Sequence, residues 1–207
     1  MSERVRASFD RIAEQYAADF ADELTRKPYD TALLRDFAGR CRGGPVLDVG
    51  CGPAGHVGRF VANLGVRVIG VDLAPRSLTV ARRLNDPSLG LVAADMRALP
   101  FASGSCAGLL AFYSLIYEAD PSAALTELRR ALRADGALLV AVHAGQGFSH
   151  YSEYKGQPVD VDLHLHAPDV FAERVMRAGF AVDAVDVRPP YPFEHATQRL
   201  YVAARAA

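Results

Sequence analysis

Residues 46–55, VLDVGCGPAG, constrain the fold of this chain more than any other stretch. The apolar run 46–49 is typical of a short buried strand, and Gly50 and Gly52 allow a sharp turn where the backbone can approach a ligand closely. Gly50, Gly52 and Gly55 also match the G-x-G-x-x-G pattern of dinucleotide-binding loops. Taken alone, the loop predicts a ligand-binding strand–turn–helix unit but leaves the kind of ligand open.

Beyond Pro45, short apolar strands alternate with helices of about ten residues, a texture typical of an α/β fold. The predicted strands are 46–49, 66–71, 89–94, 108–113, 137–142, 180–187 and 199–203. The predicted helices are 57–64, 75–84, 120–133 and 168–178, with a turn at 135–136. No helix separates the last two strands, so they form an antiparallel hairpin. We therefore predict a seven-stranded sheet, mostly parallel with an antiparallel terminal strand, and helices on both faces.

The first 44 residues predict a helical cap in front of this sheet. Their apolar side chains recur at spacings of three and four, which places one set on a single helix face and a second set on a following helix. The first set is Phe9, Ile12, Tyr16, Phe20 and Leu24, and the second is Leu33, Leu34 and Phe37. A length of 207 residues suits one packed core better than two. We expect a single domain over 1–207, with a cap at 1–44 and a core at 45–207 that carries an insert at 145–166.

Acidic side chains at the ends of the first three strands restrict the kind of ligand that the loop can bind. Asp48 would repel a pyrophosphate, but its carboxylate could accept hydrogen bonds from an ammonium group. Asp72 ends the second strand, where an acid can hold ribose hydroxyls. Asp95 could accept the amino hydrogens of adenine, and Met96 could pack on the ring. With the forty helical residues that precede the first strand, Asp48, Asp95 and Met96 argue against an NAD(P)-dependent oxidoreductase, which remains an alternative, whereas Asp72 suits either family.

Four features together resemble the class I S-adenosylmethionine-dependent methyltransferases. They are the D-x-G-x-G loop, the acid after the second strand, the Ala-Asp-Met stretch at 94–96 and the Leu-Arg-Ala-Asp-Gly segment at 132–136. The resemblance covers roughly residues 9–204 and is greatest to the small-molecule enzymes of ubiquinone and menaquinone biosynthesis. It implies a Rossmann-like fold. It also implies transfer of a methyl group from S-adenosylmethionine, leaving S-adenosylhomocysteine, to an oxygen, nitrogen or carbon of a small molecule.

The same resemblance implies which residues bind the cofactor. The glycine loop of this chain would line the methionine part of the cofactor, with Asp48 near the ammonium group. Asp72 would hold the ribose, and Leu73 would lie beside the adenine. Tyr16 would help to close the site, and Phe112 would lie near the transferable methyl group. The full cofactor-binding set is Tyr16, Asp48, Gly50, Cys51, Gly52, Asp72, Leu73, Asp95, Met96 and Phe112.

Candidate catalytic residues follow the fourth and fifth strands. A general base is needed only if the acceptor must lose a proton, and His143, Tyr113 and Tyr117 are the candidates in that order. The other interpretation of His143 is a hydrogen-bonded residue of the pocket wall. The family often has a histidine where Tyr117 stands, which leaves a second function open: a domain that binds S-adenosylmethionine without catalysis.

Residues 159–166 alternate between apolar and polar side chains, which predicts an extra strand whose polar face is turned to solvent or to the substrate pocket. Histidines and aspartates on that face permit a metal site by residue type. Neighbours two apart on a flat strand rarely converge on one ion, however, so we expect no metal. Tyr151 and Tyr154 are either lid residues or exposed loop aromatics. Glu194 and His195 lie in the last hairpin loop and could reach the mouth of the pocket, although exposed loop residues are the default expectation.

Charge and composition set the expected partners and location. The formal net charge is −1 and the pI is about 6.6, which argues against nucleic acid. The three cysteines form no C-x-x-C pair, and no apolar stretch approaches the roughly 20 residues of a membrane helix. No apolar signal-peptide core is visible near the first residue. We expect a cytoplasmic protein, monomeric or homodimeric, that acts on a small-molecule methyl acceptor away from membranes.

Overall fold

The computed structural model describes residues 3–85 and 89–207; the first two residues of the expected cap lie outside this range. The α-helices are α1 (Glu3–Phe20), α2 (Pro28–Arg40), α3 (His56–Ala62), α4 (Pro75–Leu84), α5 (Ser122–Ala131) and α6 (Pro168–Arg177). Two short 3₁₀ helices are Glu23–Arg26 and Leu115–Tyr117. The strands are β1 (Val46–Val49), β2 (Val68–Asp72), β3 (Gly90–Ala93), β4 (Cys106–Phe112), β5 (Leu132–Ala144), β6 (Phe148–Tyr154), β7 (Gln157–His164), β8 (Phe180–Arg188) and β9 (Gln198–Ala206).

Seven strands form one sheet in the order β3-β2-β1-β4-β5-β9-β8. The pairs from β3 to β5 are all parallel, whereas β9 runs antiparallel to both of its neighbours, β5 and β8. The predicted fold class is therefore confirmed. Strand order reverses between β1 and β4, and in such open sheets ligands bind in the crevice at the carboxyl ends of the strands.

Helices cover both faces of the sheet because its strands are apolar on both sides. Neighbouring side chains such as Leu109 and Leu110 of β4 are both fully buried and belong to opposite layers. One layer contains α5 and α6, with Leu125, Leu128, Phe171 and Val175 against the sheet. The other contains α2 and α3, with Leu34, Phe37, Val57 and Val61.

Two predicted boundaries differ from the structure for local reasons. The first helix ends at Phe20 rather than near Leu24, because the Thr25 amide and hydroxyl both donate to the Asp22 carbonyl and tighten the chain into the 3₁₀ helix. The turn predicted at Asp135 lies inside β5. The register shift between Cys106 and Gly108 of β4 marks an irregularity there, and Asp135 has a left-handed φ of 57°.

The insert is a two-stranded hairpin, β6–β7, rather than the single extra strand predicted at 159–166. Helix α1 packs on β7: Ser8 accepts a hydrogen bond from the Asp160 amide at 2.8 Å, and Arg11 donates to the Pro158 carbonyl at 2.7 Å. Arg4 pairs with Asp160 and Asp162. The polar face of β7 therefore meets α1 and solvent, and its apolar face is left for the cavity below.

Neither a metal-binding cluster nor a membrane-spanning helix is found in the described residues. Within residues 3–85 and 89–207, no group of three or more His, Cys, Asp or Glu side chains is arranged to hold a metal ion. No helix in that same range has both the length and the apolar character needed to cross a membrane.

Candidate active site

A cavity of about 520 Å³ lies at the carboxyl edge of the sheet. Its floor comes from the ends of β1, β2, β4 and β5, and its roof comes from α1 and the β6–β7 hairpin, through side chains such as Ile12, Tyr16, Val159, Val161 and Leu163. The apolar face of β7 thus lines the cavity. Of the two placements expected for its polar face, solvent or the substrate pocket, the second is wrong, because the side chains of that face are not among the lining residues.

The glycine loop turns sharply at the end of β1. Gly50 and Gly52 have left-handed φ values of 75° and 62°, and the amides of Gly50 and Cys51 both donate to the Val71 carbonyl of β2. A Cβ on Gly50 would lie 2.2 Å from the Cβ of Ser114, a buried residue whose hydroxyl donates to the Val49 carbonyl. A Cβ on Gly52 would meet nothing within 4 Å. The backbone at Gly50 is thus closed by the fold, while Gly52 borders open space.

This difference predicts that alanine at Gly50 affects mainly stability, whereas alanine at Gly52 affects mainly ligand binding. Gly50→Ala should lower the free energy of unfolding by about 3 kcal/mol, since it adds a clash to the cost of a left-handed alanine. Gly52→Ala should cost only about 1 kcal/mol of stability but should weaken S-adenosylhomocysteine binding more than about tenfold, because its methyl group occupies ligand space. Urea unfolding and calorimetric titration measure the two effects, and unchanged binding by Gly52→Ala would contradict the assignment.

Asp72 connects the glycine loop to the start of α4. One carboxylate oxygen accepts from the Gly52 amide at 2.9 Å and the other accepts from the Ala74 amide at 2.9 Å. Burial raises the pKa of Asp72, and these two bonds oppose the rise. Each oxygen keeps a second lone pair, so the group can still accept a pair of ligand hydroxyls.

Asp48, at the end of β1, is 2% exposed and accepts from the Gly58 amide at 2.9 Å. Burial raises the pKa of Asp48 to about 6, against the opposing influence of His56 and the Gly58 amide. His56 binds Glu23 through Nε2 at 2.8 Å, while its buried Nδ1 has no hydrogen-bond partner among the described residues. Because Nε2 donates to Glu23, Nδ1 is an acceptor, and a buried acid beside a buried unpartnered acceptor nitrogen is an arrangement that a hydrogen-bond donor of a ligand would complete.

An aromatic cluster closes the roof above the loop. The Tyr16 ring lies 4.3 Å from that of Phe20, 5.5 Å from that of Phe9 and 5.7 Å from that of Tyr154, between centroids. Phe9 also contacts Tyr117 at 5.0 Å. Tyr154 donates to Asp19 of α1 at 2.6 Å, and Lys155 pairs with the same carboxylate. Tyr154 is thus a roof residue, and α1 and the hairpin are held together over the cavity.

Most of the residues predicted for the site line this cavity: Tyr16, Asp48, Gly50, Cys51, Gly52, Asp72, Phe112, Tyr113, Tyr117 and His143. Three others, Leu73, Asp95 and Met96, are not among its lining residues. Met96 is 3% exposed and packs into the core, and Asp95 binds Arg97 at 2.7 Å. Burial opposes ionisation of Asp95, but the Arg97 hydrogen bonds lower its pKa to about 2. The adenine contacts of these three residues remain predictions.

Tyr113 forms part of the floor and carries an uncommon backbone conformation, with a φ of 55°. Its hydroxyl lies 3.0 Å from that of Tyr201 and donates to Asp30 at 3.3 Å, and burial raises its pKa well above the usual value. Burial also raises the pKa of Tyr117, to about 12. Both phenols therefore hold their protons at neutral pH, which favours structural or donor roles over the role of a base.

Beneath Tyr113 lies a buried ionic network that sequence reasoning missed. Arg188 bridges Asp30 at 2.9 Å and Glu194 at 2.8 Å, and Glu194 also binds Lys27 at 3.1 Å and lies 3.6 Å from Arg199. Burial opposes ionisation of Glu194, but Arg188 and the other cations lower its pKa to about 2. The sequence signal was a pair of arginines in apolar strand patterns, at the end of β8 and the start of β9. The expectation of an exposed Glu194 is wrong, since its side chain is 2% exposed and lines the cavity.

His143, at the end of β5, lines the cavity and is 6% exposed. Its Nδ1 makes a short hydrogen bond with the Thr197 hydroxyl and lies 3.4 Å from the Arg199 guanidinium. Burial, followed by the Arg199 charge, lowers the pKa of His143 to about 3. The imidazole is therefore neutral throughout the physiological range.

Comparison with known proteins gives consistent results. A family model described as a methyltransferase domain matches residues 47–140. The chain is 33% identical to the malonyl-[acyl-carrier protein] O-methyltransferase of Laribacter hongkongensis, over 89% of this chain and 66% of that protein. It is 30% identical to the demethylmenaquinone methyltransferase of Renibacterium salmoninarum, over 72% of this chain and 69% of that protein. The chain thus spans about two thirds of the length of these relatives.

Solved structures with the same fold match nearly the whole chain. The 1,6-didemethyltoxoflavin-N1-methyltransferase of Burkholderia thailandensis, solved with 1,6-didemethyltoxoflavin and S-adenosylhomocysteine, superposes with a TM-score of 0.74 at 24% identity, over 98% of this chain and 87% of that one. The DhpI complex with S-adenosylhomocysteine superposes with a TM-score of 0.76 at 20% identity, over 100% and 99%.

Proposed function

Because this chain belongs to the S-adenosylmethionine-dependent methyltransferases, we propose that it moves the methyl group of that cofactor to a small molecule held in the cavity. The nucleophile is an oxygen, nitrogen or carbon. One observation carries the proposal: Asp48 and Asp72 lie beside the open space at Gly52, and the same cavity continues past Tyr113 to His143. One end thus suits the cofactor and the other suits an acceptor.

The residues present fit the cofactor. S-adenosylmethionine supplies a methyl group that is already activated on a sulfonium. Asp72 keeps lone pairs for the ribose hydroxyls, and Asp48 offers a carboxylate to the ammonium. Nε2 of His56 donates to Glu23, so the unpartnered Nδ1 of the neutral ring is an acceptor and could also accept from the ligand ammonium. The space at Gly52 lets the methionine part lie against the backbone.

The remaining residues align the acceptor and exclude water. The methyl donor needs little further activation, so the main contribution of the protein is to hold the nucleophile in line with the methyl group inside a dry cavity. The aromatic roof of α1 and the hairpin supports that role. Residues 1–207 are proposed to work as one domain, either as a monomer or as a homodimer. The proposed location is the cytoplasm, where free cysteines persist, and all three cysteines are buried and free.

Binding of S-adenosylhomocysteine should tighten as the pH rises through about 6. The ammonium group requires the charged form of Asp48, whose raised pKa leaves it largely protonated at about pH 5. Affinity should therefore increase about tenfold between about pH 5 and pH 7. Calorimetric titration of the wild type and of Asp48→Asn measures this; the variant should bind weakly and lose the dependence. An identical pH dependence in the variant would remove Asp48 from this role.

Methyl transfer itself is tested with labelled S-adenosylmethionine and a panel of small phenols, hydroxy acids, amines and activated carbon acids. Labelled product from at least one class supports the proposal. Tight S-adenosylhomocysteine binding without transfer to any member would support the alternative of a non-catalytic cofactor-binding domain.

A further inference from the structure

A chain of hydrogen bonds runs along the acceptor end of the cavity, from the end of β5 to the hairpin roof. His143 contacts the Thr197 hydroxyl, and Thr197 lies 3.4 Å from Nδ1 of His195. Nε2 of His195 lies 2.7 Å from the Tyr151 hydroxyl of β6. His143, His195 and Tyr151 all line the cavity, and the two imidazole rings are 5.9 Å apart, between centroids.

Arg199 fixes the direction of the first bonds in this chain. A guanidinium can only donate, and its Nη1 lies 2.8 Å from the Thr197 hydroxyl oxygen and 3.4 Å from Nδ1 of His143. Nδ1 of His143 faces a group that can only donate, so it is an acceptor. The Thr197 hydroxyl therefore accepts a hydrogen bond from Arg199 and donates one to Nδ1 of His143. A neutral imidazole that accepts at Nδ1 carries its proton on Nε2, so His143 is a hydrogen-bond donor toward the cavity.

The remaining bonds give His195 the opposite tautomer. Thr197 has already used its proton, so Nδ1 of His195 must donate to it. Nε2 of His195 is then unprotonated and accepts from the Tyr151 hydroxyl. The acceptor end thus presents one N–H donor, on His143, and one basic nitrogen, on His195.

We propose that His195, with Tyr151, takes the proton of a hydroxyl acceptor, while Nε2–H of His143 donates to the same oxygen. This inference rests on the proposed methyl transfer. A hydroxyl oxygen can use both groups at once, because it accepts from His143 while it donates to the Tyr151 oxygen, whose own proton is directed at Nε2 of His195. Lys27 and Arg199 line the same region and favour the negative charge that develops on the oxygen, with Glu194 between them as counter-ion.

The step balances without any further reactant. The acceptor O–H bond breaks and its proton moves to the Tyr151 oxygen, while the Tyr151 proton moves to Nε2 of His195. The oxygen electron pair forms the new O–C bond, while the electron pair of the breaking C–S bond stays on sulfur as a neutral thioether. His195 is exposed, so the imidazolium can release its proton to solvent.

Nitrogen NMR of the ¹⁵N-labelled protein with S-adenosylhomocysteine tests the tautomers without any acceptor. At about pH 8, above the usual pKa of histidine, we expect a protonated Nε2 on His143 and a protonated Nδ1 on His195. His143→Gln and His195→Gln assign the signals. An unprotonated Nε2 on His143, or a protonated Nε2 on His195, would overturn the proposal.

The same variants separate the two roles in catalysis. With catechol and 4-hydroxybenzoate as acceptors, His195→Gln should lower kcat by about 10²-fold or more, since a carboxamide cannot take the proton. His143→Gln keeps an N–H donor and should retain activity within about tenfold. His150→Gln, on an exposed hairpin residue bound to Asp162, serves as the control. The reverse order would make His143 the base. Turnover of neither phenol, while another class of acceptor is methylated, would overturn the proposal of a hydroxyl acceptor. Transfer to no class at all would count against methyl transfer itself, and the nitrogen shifts would still decide the tautomers.

Discussion

Replacement of Arg188 by methionine should lower the free energy of unfolding by about 3–5 kcal/mol. Asp30 is fully buried, and among the described residues Arg188 is the cation bonded to it, at 2.9 Å. Methionine fills similar space but leaves the Asp30 carboxylate without a counter-charge beneath Tyr113. Glu194 would keep Lys27 and Arg199 as partners, so the loss is expected to centre on Asp30.

Urea unfolding of Arg188→Met beside Arg205→Met measures this effect. Arg205 pairs with Asp183 at the surface, where ion pairs contribute about 0–1 kcal/mol, so the control should change little. The lowered pKa of Glu194 adds a pH signature. Its stabilisation is present above its ordinary pKa of 4.5 and is lost as the pH falls toward 2, and this loss should be smaller in Arg188→Met. Equal destabilisation by both substitutions would contradict the importance of the buried network.

Substitution of Asp72 by alanine should weaken S-adenosylhomocysteine binding by about 10²-fold or more. Two charged hydrogen bonds to the ribose hydroxyls would be lost, each worth about 1.5–3 kcal/mol. The substitution also releases the Gly52 amide, which Asp72 holds at 2.9 Å beside the ligand space. Calorimetric titration measures the affinity, and Asp72→Asn, which keeps one acceptor oxygen, should lose less.

Asp95→Ala is the matched comparison for Asp72→Ala. Asp95 does not line the cavity and is bound by Arg97, so its removal should cost less affinity than that of Asp72. A thermal melt of each variant separates loss of the site from loss of the fold. If Asp95→Ala lost more affinity than Asp72→Ala, the ribose assignment would be wrong and the adenine assignment would gain support.

Local sequence patterns predicted the sheet and the end of the cavity that contains Asp48, Gly52 and Asp72. The run 46–52 fixes a strand and its turn within a few residues, and Asp48 and Asp72 lie at strand ends that a parallel sheet brings to one edge. The family and its fold, both predicted from these residues, are confirmed. The hairpin strand β6 was missed because its side chains are mostly exposed and polar, so no apolar alternation marks it.

The end of the cavity that contains His143 and Glu194 could not be predicted from local sequence patterns. The network around Glu194 joins Lys27 and Asp30 of the cap to Arg188 and Arg199, residues more than 150 positions apart in the chain. Such pairs depend on how the cap docks on the last hairpin, and no periodicity encodes it. The tautomer of His143 likewise depends on Arg199 of the neighbouring strand β9, which is opposite His143 in the register.

Calorimetric titration of the purified protein with S-adenosylhomocysteine, with NADH as the control ligand, tests the central claim most directly. We expect micromolar binding of S-adenosylhomocysteine that Gly52→Ala and Asp72→Ala weaken, and no binding of NADH, whose pyrophosphate Asp48 would repel. Binding of NADH alone would contradict the assignment of the cofactor and would make the glycine loop a dinucleotide site.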